Sequence, residues 1–279
     1  MSDHYGQIAQ AFDRAAGTYD ELYQRNSIMA WMRAESLATL RAGFAPGGHL
    51  LELGCGTGEE ALALSQLGYQ VVATDVSPMM IEKARAKAQA IRAPGVTWQA
   101  LPAGQLAELT VDYGLGAFDG AYSSFGALNC EPELGSVAVA LFDLLRPGAV
   151  LICSVMNRWC MWEMLWALLH MQPRTAFRRL ARGWVAAGLA GADGRLAVRT
   201  RYYGPRGFVR AMEPYFKQIA VRGLPVFLPP PYLDHLPAQY PDLLARLEAL
   251  ERQFGSRFPF YSLGDHFLVT MVRAGNGET

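Results

Sequence analysis

The segment Leu50-Leu51-Glu52-Leu53-Gly54-Cys55-Gly56-Thr57-Gly58 constrains the fold of this chain more than any other. An apolar run passes directly into three glycines at alternate positions, and Glu59-Glu60 then opens a helical pattern. Glycines at the end of a strand leave bare backbone where an ordinary turn would carry side chains, so a ligand can approach the main chain closely. The spacing departs from the G-x-G-x-x-G of dinucleotide loops. The third glycine comes one residue early, and two carboxylates at a helix N-terminus would repel a pyrophosphate.

Short apolar runs alternate with helical patterns from about residue 48 to residue 155, which predicts a parallel sheet wound with helices on both faces. Strands are expected over 49–53, 70–74, 96–99, 118–123 and 149–155, with helices over about 59–67, 78–90 and 134–145. Ser77-Pro78 supplies an N-cap and a first-turn proline for the second of these helices. After residue 155 the alternation breaks. An apolar helix, a basic helix over about 174–182, a Gly/Ala-rich stretch and a strand over about 196–203 follow before the pattern resumes. A helix near 205–216 and strands near 219–222 and 266–272 complete the sheet, and a helix is expected over about 242–254. The predicted class is α/β, a Rossmann-like, seven-stranded, mostly parallel sheet with a lid inserted after strand five. Residues 1–156 would hold N-terminal cover helices and the cofactor-binding core, 157–203 the helical and basic lid, and 204–279 the rest of the sheet. A Pro-rich insertion at about 225–262, around Pro229-Pro230-Pro231, interrupts that last part. At 279 residues, 51% hydrophobic and 18% charged, the chain can bury one principal core.

Asp75 ends the second strand, 17 residues beyond Gly58. In a doubly wound sheet that position lies beside the first loop, at the carboxyl edge where ligands bind, and a carboxylate there can accept two hydrogen bonds from a ribose diol. The combination of Glu52-Leu-Gly-Cys-Gly-Thr-Gly with Ala73-Thr-Asp75-Val-Ser-Pro-Met-Met resembles the class I S-adenosylmethionine-dependent methyltransferases, over roughly residues 10–155 and more loosely over the last two strands. The resemblance implies S-adenosylmethionine as cofactor and S-adenosylhomocysteine as product. It implies that Gly54, Cys55, Gly56 and Gly58 line the methionine part, that Glu52 supports the loop or the ammonium group, and that Asp75 holds the ribose. Val76 would pack by the adenine, with Ala100 and Leu101 after strand three, where the usual acidic residue is absent. Phe12–Asp20 resembles the segment that covers the cofactor in small-molecule members, and Tyr19 and Arg33 are candidates for the cofactor carboxylate.

After strand four the chain reads Ser123-Ser124-Phe125-Gly126, without the Asn/Asp-Pro-Pro-Tyr/Phe motif of enzymes that methylate exocyclic amines. Ser123 and Phe125 are expected to form walls of the transfer pocket. Methyl transfer from a sulfonium is an in-line displacement that positioning and exclusion of water can catalyse, and a base is needed only where the acceptor keeps its proton at neutral pH. His170, His235 and His266 are the candidates for such a base, none of them distinguished by its neighbours.

Between Asn157 and Arg210 ten arginines stand against Glu163 and Asp193, although Lys plus Arg equals Asp plus Glu at 25 each over the whole chain. Trp159, Trp162 and Trp166 recur there at helical spacing and are expected to line the substrate pocket of the lid. Such a segment suits a hydrophobic, optionally anionic small molecule as methyl acceptor through O, N or C. It would also suit transient contact with an anionic membrane surface. The even charge balance and the absence of a recognised RNA-binding module argue against a nucleic-acid partner. A nicotinamide-dependent oxidoreductase and a non-catalytic member that binds cofactor or a partner are the alternatives. Cys55, Cys130, Cys153 and Cys160 form no Cys-x-x-Cys pair, so no metal is expected. With no secretory signal pattern at Met1-Ser2-Asp3-His4, a cytoplasmic location is the expectation.

Overall fold

A computed structural model describes residues 2–188, 196–233 and 240–275. Its strands are β1 (His49–Leu53), β2 (Gln70–Asp75), β3 (Val96–Ala100), β4 (Phe118–Ser123), β5 (Leu145–Met156), β6 (Val185–Gly188), β7 (Ala197–Thr200), β8 (Phe216–Leu224) and β9 (His266–Arg273). Seven of them form one sheet in the order β3-β2-β1-β4-β5-β9-β8, and β6 and β7 form a separate hairpin. The pairs from β3 across to β5 are parallel, whereas β9 runs antiparallel to both β5 and β8. This is the expected seven-stranded, mostly parallel arrangement.

The helices are α1 (Ser2–Ala15), α2 (Tyr19–Gln24), α3 (Ser27–Gly43), α4 (Glu59–Gln66), α5 (Pro78–Ile91), α6 (Leu109–Tyr113), α7 (Leu134–Leu144), α8 (Met161–Leu169), α9 (Pro173–Ala176), α10 (Pro205–Met212) and α11 (Pro241–Phe254). Alternation along β1 sends Leu51 and Leu53 into a core shared with α7 and α10, and Leu50 into a second core shared with α3, α4 and α5. The sheet is thus covered on both faces, which is what its near-continuous apolar strands require. Ser77 caps α5 as its sequence suggests, with Oγ accepting from the Met80 amide at 3.1 Å.

Several elements differ from expectation: the helix expected near 205–216 ends at Met212, and the strand expected near 219–222 runs over Phe216–Leu224 because its pairing with β9 starts at Phe216 opposite Arg273. β5 begins at Leu145, four residues early, because Leu145 already pairs with Phe118 and the register then shifts before Gly120. The basic helix expected over 174–182 is short. α9 stops at Ala176 and a single 3₁₀ turn covers Arg178–Leu180, since Arg178 and Arg179 both turn back onto Glu163 of α8. The strand expected over 196–203 is only β7, which pairs with β6 rather than with the main sheet. Among the described residues, no helix is long and apolar enough to cross a membrane.

Candidate active site

A cavity of about 750 Å³ lies at the carboxyl edge of the parallel strands. At one end is the glycine loop, whose three glycines all have positive φ but different surroundings. A Cβ on Gly54 would sit 2.2 Å from the Cβ of Ala127, and one on Gly58 would sit 2.4 Å from the Trp98 ring. A Cβ on Gly56 would meet nothing within 4 Å. Gly54 and Gly58 are therefore small so that the loop can pack, and Gly56 presents open backbone. Gly54, Cys55 and Gly56 line the cavity and Gly58 does not.

Asp75, only 7% exposed, also lines the cavity. Its Oδ2 accepts the Gly56 amide at 2.8 Å and its Oδ1 accepts the Ser77 amide at 2.8 Å. Burial raises its carboxyl to about 6 against the lowering effect of those two amides, with Asp13 adding a smaller upward push. Each oxygen keeps a further lone pair, so the carboxylate can accept from a ligand diol without giving up either amide. Val76 and Leu101 are beside it in the lining; Ala100 is not. Glu52 lies beneath the loop, fully buried. Its Oε2 accepts the Tyr122 hydroxyl at 3.1 Å and its Oε1 has no partner. Burial first, and the neighbouring Glu60 second, push its carboxyl well above the usual range. Ser123 donates to the Leu53 carbonyl at 2.9 Å and is turned away, while the adjacent Ser124 lines the cavity.

The N-terminal helices close over this end. Asp20 of α2 accepts the Thr57 hydroxyl at 2.5 Å, and Lys87 bridges Asp20 and Glu59 at 3.2 and 2.5 Å. Asp13 of α1 accepts from the Ser77 hydroxyl at 2.5 Å, fastening α1 to the start of α5. Tyr5, Phe12 and Tyr19 all face the cavity. Arg33 lines it too, but Nε donates to Glu60 at 2.8 Å and the guanidinium lies 5.6 Å from the Phe125 ring centre.

The other end is built from residues far apart in sequence. Asp265 Oδ2 pairs with His266 Nδ1 at 2.9 Å, and Asp265 Oδ1 accepts from Arg179 Nη2 at 2.6 Å. Although burial opposes it, Arg179 and then His266 hold the Asp265 carboxyl below its ordinary range, so it is an anion that can only accept. Nδ1 of His266 must then carry a proton, and Nε2 is the acceptor of the neutral form of a ring that lines the cavity. The edge of this ring meets Phe125 at 6.4 Å between centres, so Phe125 stands between Arg33 and His266, with φ at +52°. The charge of the arginines is locally met. Glu163 takes Arg178 at 2.7 Å and Arg179 at 2.8 Å.

Of the expected pocket residues, Phe125 and His266 line the cavity, and Trp159, Trp162 and Trp166 do not. Trp159 is largely on the surface, Trp162 donates to the Phe227 carbonyl at 2.8 Å, and Trp166 stacks with His170 at 4.3 Å. Of the three, Trp162 ties α8 to the chain after β8 rather than to the cavity. His170 is exposed, away from the cavity, and His235 lies outside the described residues. Tyr5, Arg179, Tyr202, Tyr232 and Asp265 line the cavity without having been expected. One signal could have found Asp265. An antiparallel last strand starts where the parallel strands end, and His266 pairs in register with Met156 at the end of β5. Among the described residues no cluster of His, Cys, Asp or Glu could hold a metal ion.

Residues 50–148 match the family model of the methyltransferase domain. Over 158 residues the chain is 33% identical to a malonyl-[acyl-carrier protein] O-methyltransferase of Pectobacterium atrosepticum, covering 54% of each chain. Over 166 residues it is 28% identical to a ubiquinone biosynthesis O-methyltransferase of Xanthomonas campestris pv. campestris, covering 56% of this chain and 60% of that one. The matched region thus spans little more than half the length of these relatives. The fold is shared with a Burkholderia thailandensis 1,6-didemethyltoxoflavin-N1-methyltransferase solved with 1,6-didemethyltoxoflavin and S-adenosylhomocysteine, at a TM-score of 0.54, 17% identity and coverage of 98% of this chain and 90% of that one. It is shared likewise with an S-adenosylmethionine-dependent methyltransferase of Mesorhizobium loti, at a TM-score of 0.51, 20% identity and coverage of 85% and 96%. By its glycine loop, its Asp75, its strand order and these likenesses together, the chain carries a methyltransferase domain over residues 50–148 and has the fold of the class I S-adenosylmethionine-dependent methyltransferases.

Proposed function

We propose that the chain transfers a methyl group from S-adenosylmethionine to a hydroxyl oxygen of an apolar small molecule. The observation that carries this reading is the joining, in one cavity, of the Gly56–Asp75 corner to a histidine held by a carboxylate. The residues fit the cofactor: Gly56 offers backbone with open space in front of it, and Asp75 offers unused lone pairs beside it. When bound, S-adenosylmethionine supplies an electrophilic methyl group on a sulfonium. Gly54, Cys55 and Gly56 would hold its methionine part, Asp75 its ribose, and Val76 and Leu101 its adenine. Tyr19 and Arg33 lie where they would meet its carboxylate. Glu52, Gly58, Ala100 and Ser123 would act by shaping the loop and the strand ends from outside the cavity.

Methyl transfer needs the acceptor oxygen in line with the methyl and free of its proton. Phe125 and Tyr202 would orient an apolar ring and keep water out, and His266 Nε2 would take the hydroxyl proton while Asp265 steadies the imidazolium. With Glu163 and Asp265 meeting the charge of Arg178 and Arg179, the pocket favours a neutral acceptor. The two relatives named as O-methyltransferases support an oxygen acceptor. The comparisons give the nicotinamide alternative no support, and the acidic pair that opens α4 weighs against it. The four thiols are free, which suits a cytoplasmic location. Residues 157–203 would act as the lid, since Arg178, Ala187, Val198 and Tyr202 reach the cavity from the segment they belong to. Isothermal titration with S-adenosylhomocysteine, S-adenosylmethionine and NADH tests the reading. Binding of the first two and not the third is expected; binding of NADH alone would overturn it.

A further inference from the structure

The end of α8 and its turn into α9 carry a group of apolar side chains that nothing in the described structure covers. Leu169 is 80% exposed and Met171 88%, and Leu165, Leu168 and Phe177 are each between 43% and 54% exposed. Met171 also has φ at +56°, a left-handed position after a helix that glycine or asparagine ordinarily fills. A bulky apolar residue is thus held outward at the tip of the turn, where it makes no core.

The charge around this tip has one sign. Residues 157–188 contain five arginines and one acidic residue, Glu163, which is 3% exposed and already bonded to Arg178 and Arg179. Arg174 and Arg182 are exposed beside the apolar group, and His170 lies among them. We propose that this tip docks on an anionic lipid bilayer, with Leu169 and Met171 entering the headgroup boundary and Arg174 and Arg182 meeting lipid phosphates. A second copy of the chain fits less well. A two-fold interface would bring these arginines against their own equivalents with no exposed acid of the segment between them.

The wall of the cavity adjoins this segment, since Arg178, which lines it, follows Phe177 of the apolar group. Tyr232 and Arg178 both line the cavity and both remain partly exposed, and Tyr232 reaches Glu163 of α8 at 3.4 Å. Docking would bring this wall of the cavity to the bilayer, where an apolar acceptor would be dissolved. That use of the surface rests on the methyltransferase reading; the docking itself does not.

The test is co-sedimentation of the full chain with phosphatidylcholine vesicles and with vesicles of phosphatidylcholine mixed with phosphatidylglycerol, at low and high salt. Binding to the mixed vesicles alone, released by salt, is expected. L169E/M171E should abolish it, and R174E/R182E should weaken it roughly fivefold or more per arginine, the factor that corresponds to about 1 kcal/mol at a charged surface. Absence of binding by the unaltered protein to the mixed vesicles overturns the proposal, as does undiminished binding by both variants. Analytical ultracentrifugation without lipid provides a second arm: a dimer that L169E/M171E dissociates would make the tip a self-association surface and overturn the docking. Calorimetry with S-adenosylhomocysteine runs in parallel. Retained nucleoside binding without vesicle binding removes the docking alone, and the reverse removes the cofactor assignment alone.

Discussion

Arg179 Nη2 lies 2.6 Å from Asp265 Oδ1, although 86 residues separate the two. The contact ties the segment after β5 to the residue just before the last strand, and through Asp265 it fixes the proton on His266 Nδ1. Arg179 also donates to the carbonyls of Asn157 and Asp265 at 3.2 and 3.0 Å, so its donors are consumed by the protein itself. Its place in the cavity wall is that of a strut.

Removal of the strut should be costly. Arg179→Met leaves the buried Asp265 with only His266 beside it and Glu163 with Arg178, and breaking a buried pair typically costs about 3–5 kcal/mol. The pH dependence has a definite sign. A carboxyl held below its unfolded value contributes stability that is present above that value, near 3.8, and is lost as pH falls toward the lower folded one. The unaltered chain should therefore lose this contribution only below about pH 4, and Arg179→Met should be unstable already at neutral pH. Urea unfolding at pH 7 and pH 4 measures both; equal unfolding midpoints at pH 7 would show that the pair contributes nothing.

Asp75 gives the opposite sign. Its carboxyl is raised to about 6, so in the empty protein the stability attached to it is present below the unfolded value and lost as pH rises through 6. Cofactor binding uses the charged form, which accepts from a diol. Affinity for S-adenosylhomocysteine should hold above pH 7 and fall about tenfold by pH 5, one unit below that value. Asp75→Asn should bind weakly at every pH with little slope. Titration calorimetry at several pH values reads this directly, and a flat profile in the unaltered protein would mean that Asp75 does not meet the ligand as an anion.

The three loop glycines should separate by phenotype. Gly58→Ala drives a methyl into the Trp98 ring and Gly54→Ala into Ala127, so both should unfold at lower denaturant whatever their effect on binding. Gly56→Ala meets open space, and its backbone cost at φ +52° is about 1–2 kcal/mol. Gly56→Val should keep the fold and lose the cofactor, because its side chain would project where the ligand approaches. Melting temperature and nucleoside affinity, compared across the four variants, distinguish packing glycines from the one that faces the ligand.

The features that the sequence makes legible are those encoded locally. The glycine loop, the Ser77-Pro78 helix start and the apolar runs of β1 and β4 each depend on neighbours a few residues away, and β1 and β4 fall where their patterns place them. The second half of the site depends on contacts across the chain. The tryptophan spacing does not show that Trp159 lies exposed before α8, that Trp162 and Trp166 are only half-buried, or that Trp162 bonds to the Phe227 carbonyl rather than facing the cavity. The arginine count likewise does not reveal that Arg178 and Arg179 are neutralised by Glu163 and Asp265, and the short α9 follows from that pairing. Phe125 differs again. Its aromatic character suggests a wall, yet its position between Arg33 and His266 depends on a left-handed backbone that a phenylalanine rarely adopts.

His266 provides the test of the chemistry. With Nδ1 committed to Asp265, the proposal assigns proton removal from the acceptor to Nε2, a contribution of about 10²–10⁴ in rate for a positioned base. His266→Ala should therefore lower kcat by that order toward an apolar phenol or hydroquinone, with affinity for S-adenosylhomocysteine unchanged, because the imidazole meets Asp265 and Phe125 rather than the residues assigned to the cofactor. His266→Gln, which keeps a polar group near Asp265 but cannot take the proton, should be equally slow. The dependence on acceptor acidity sharpens the result: a more acidic phenol arrives already ionised and should lose less when the histidine is removed. A kcat that survives His266→Ala with every acceptor, weakly acidic phenols included, would mean that His266 is not the base and would overturn the role assigned to it.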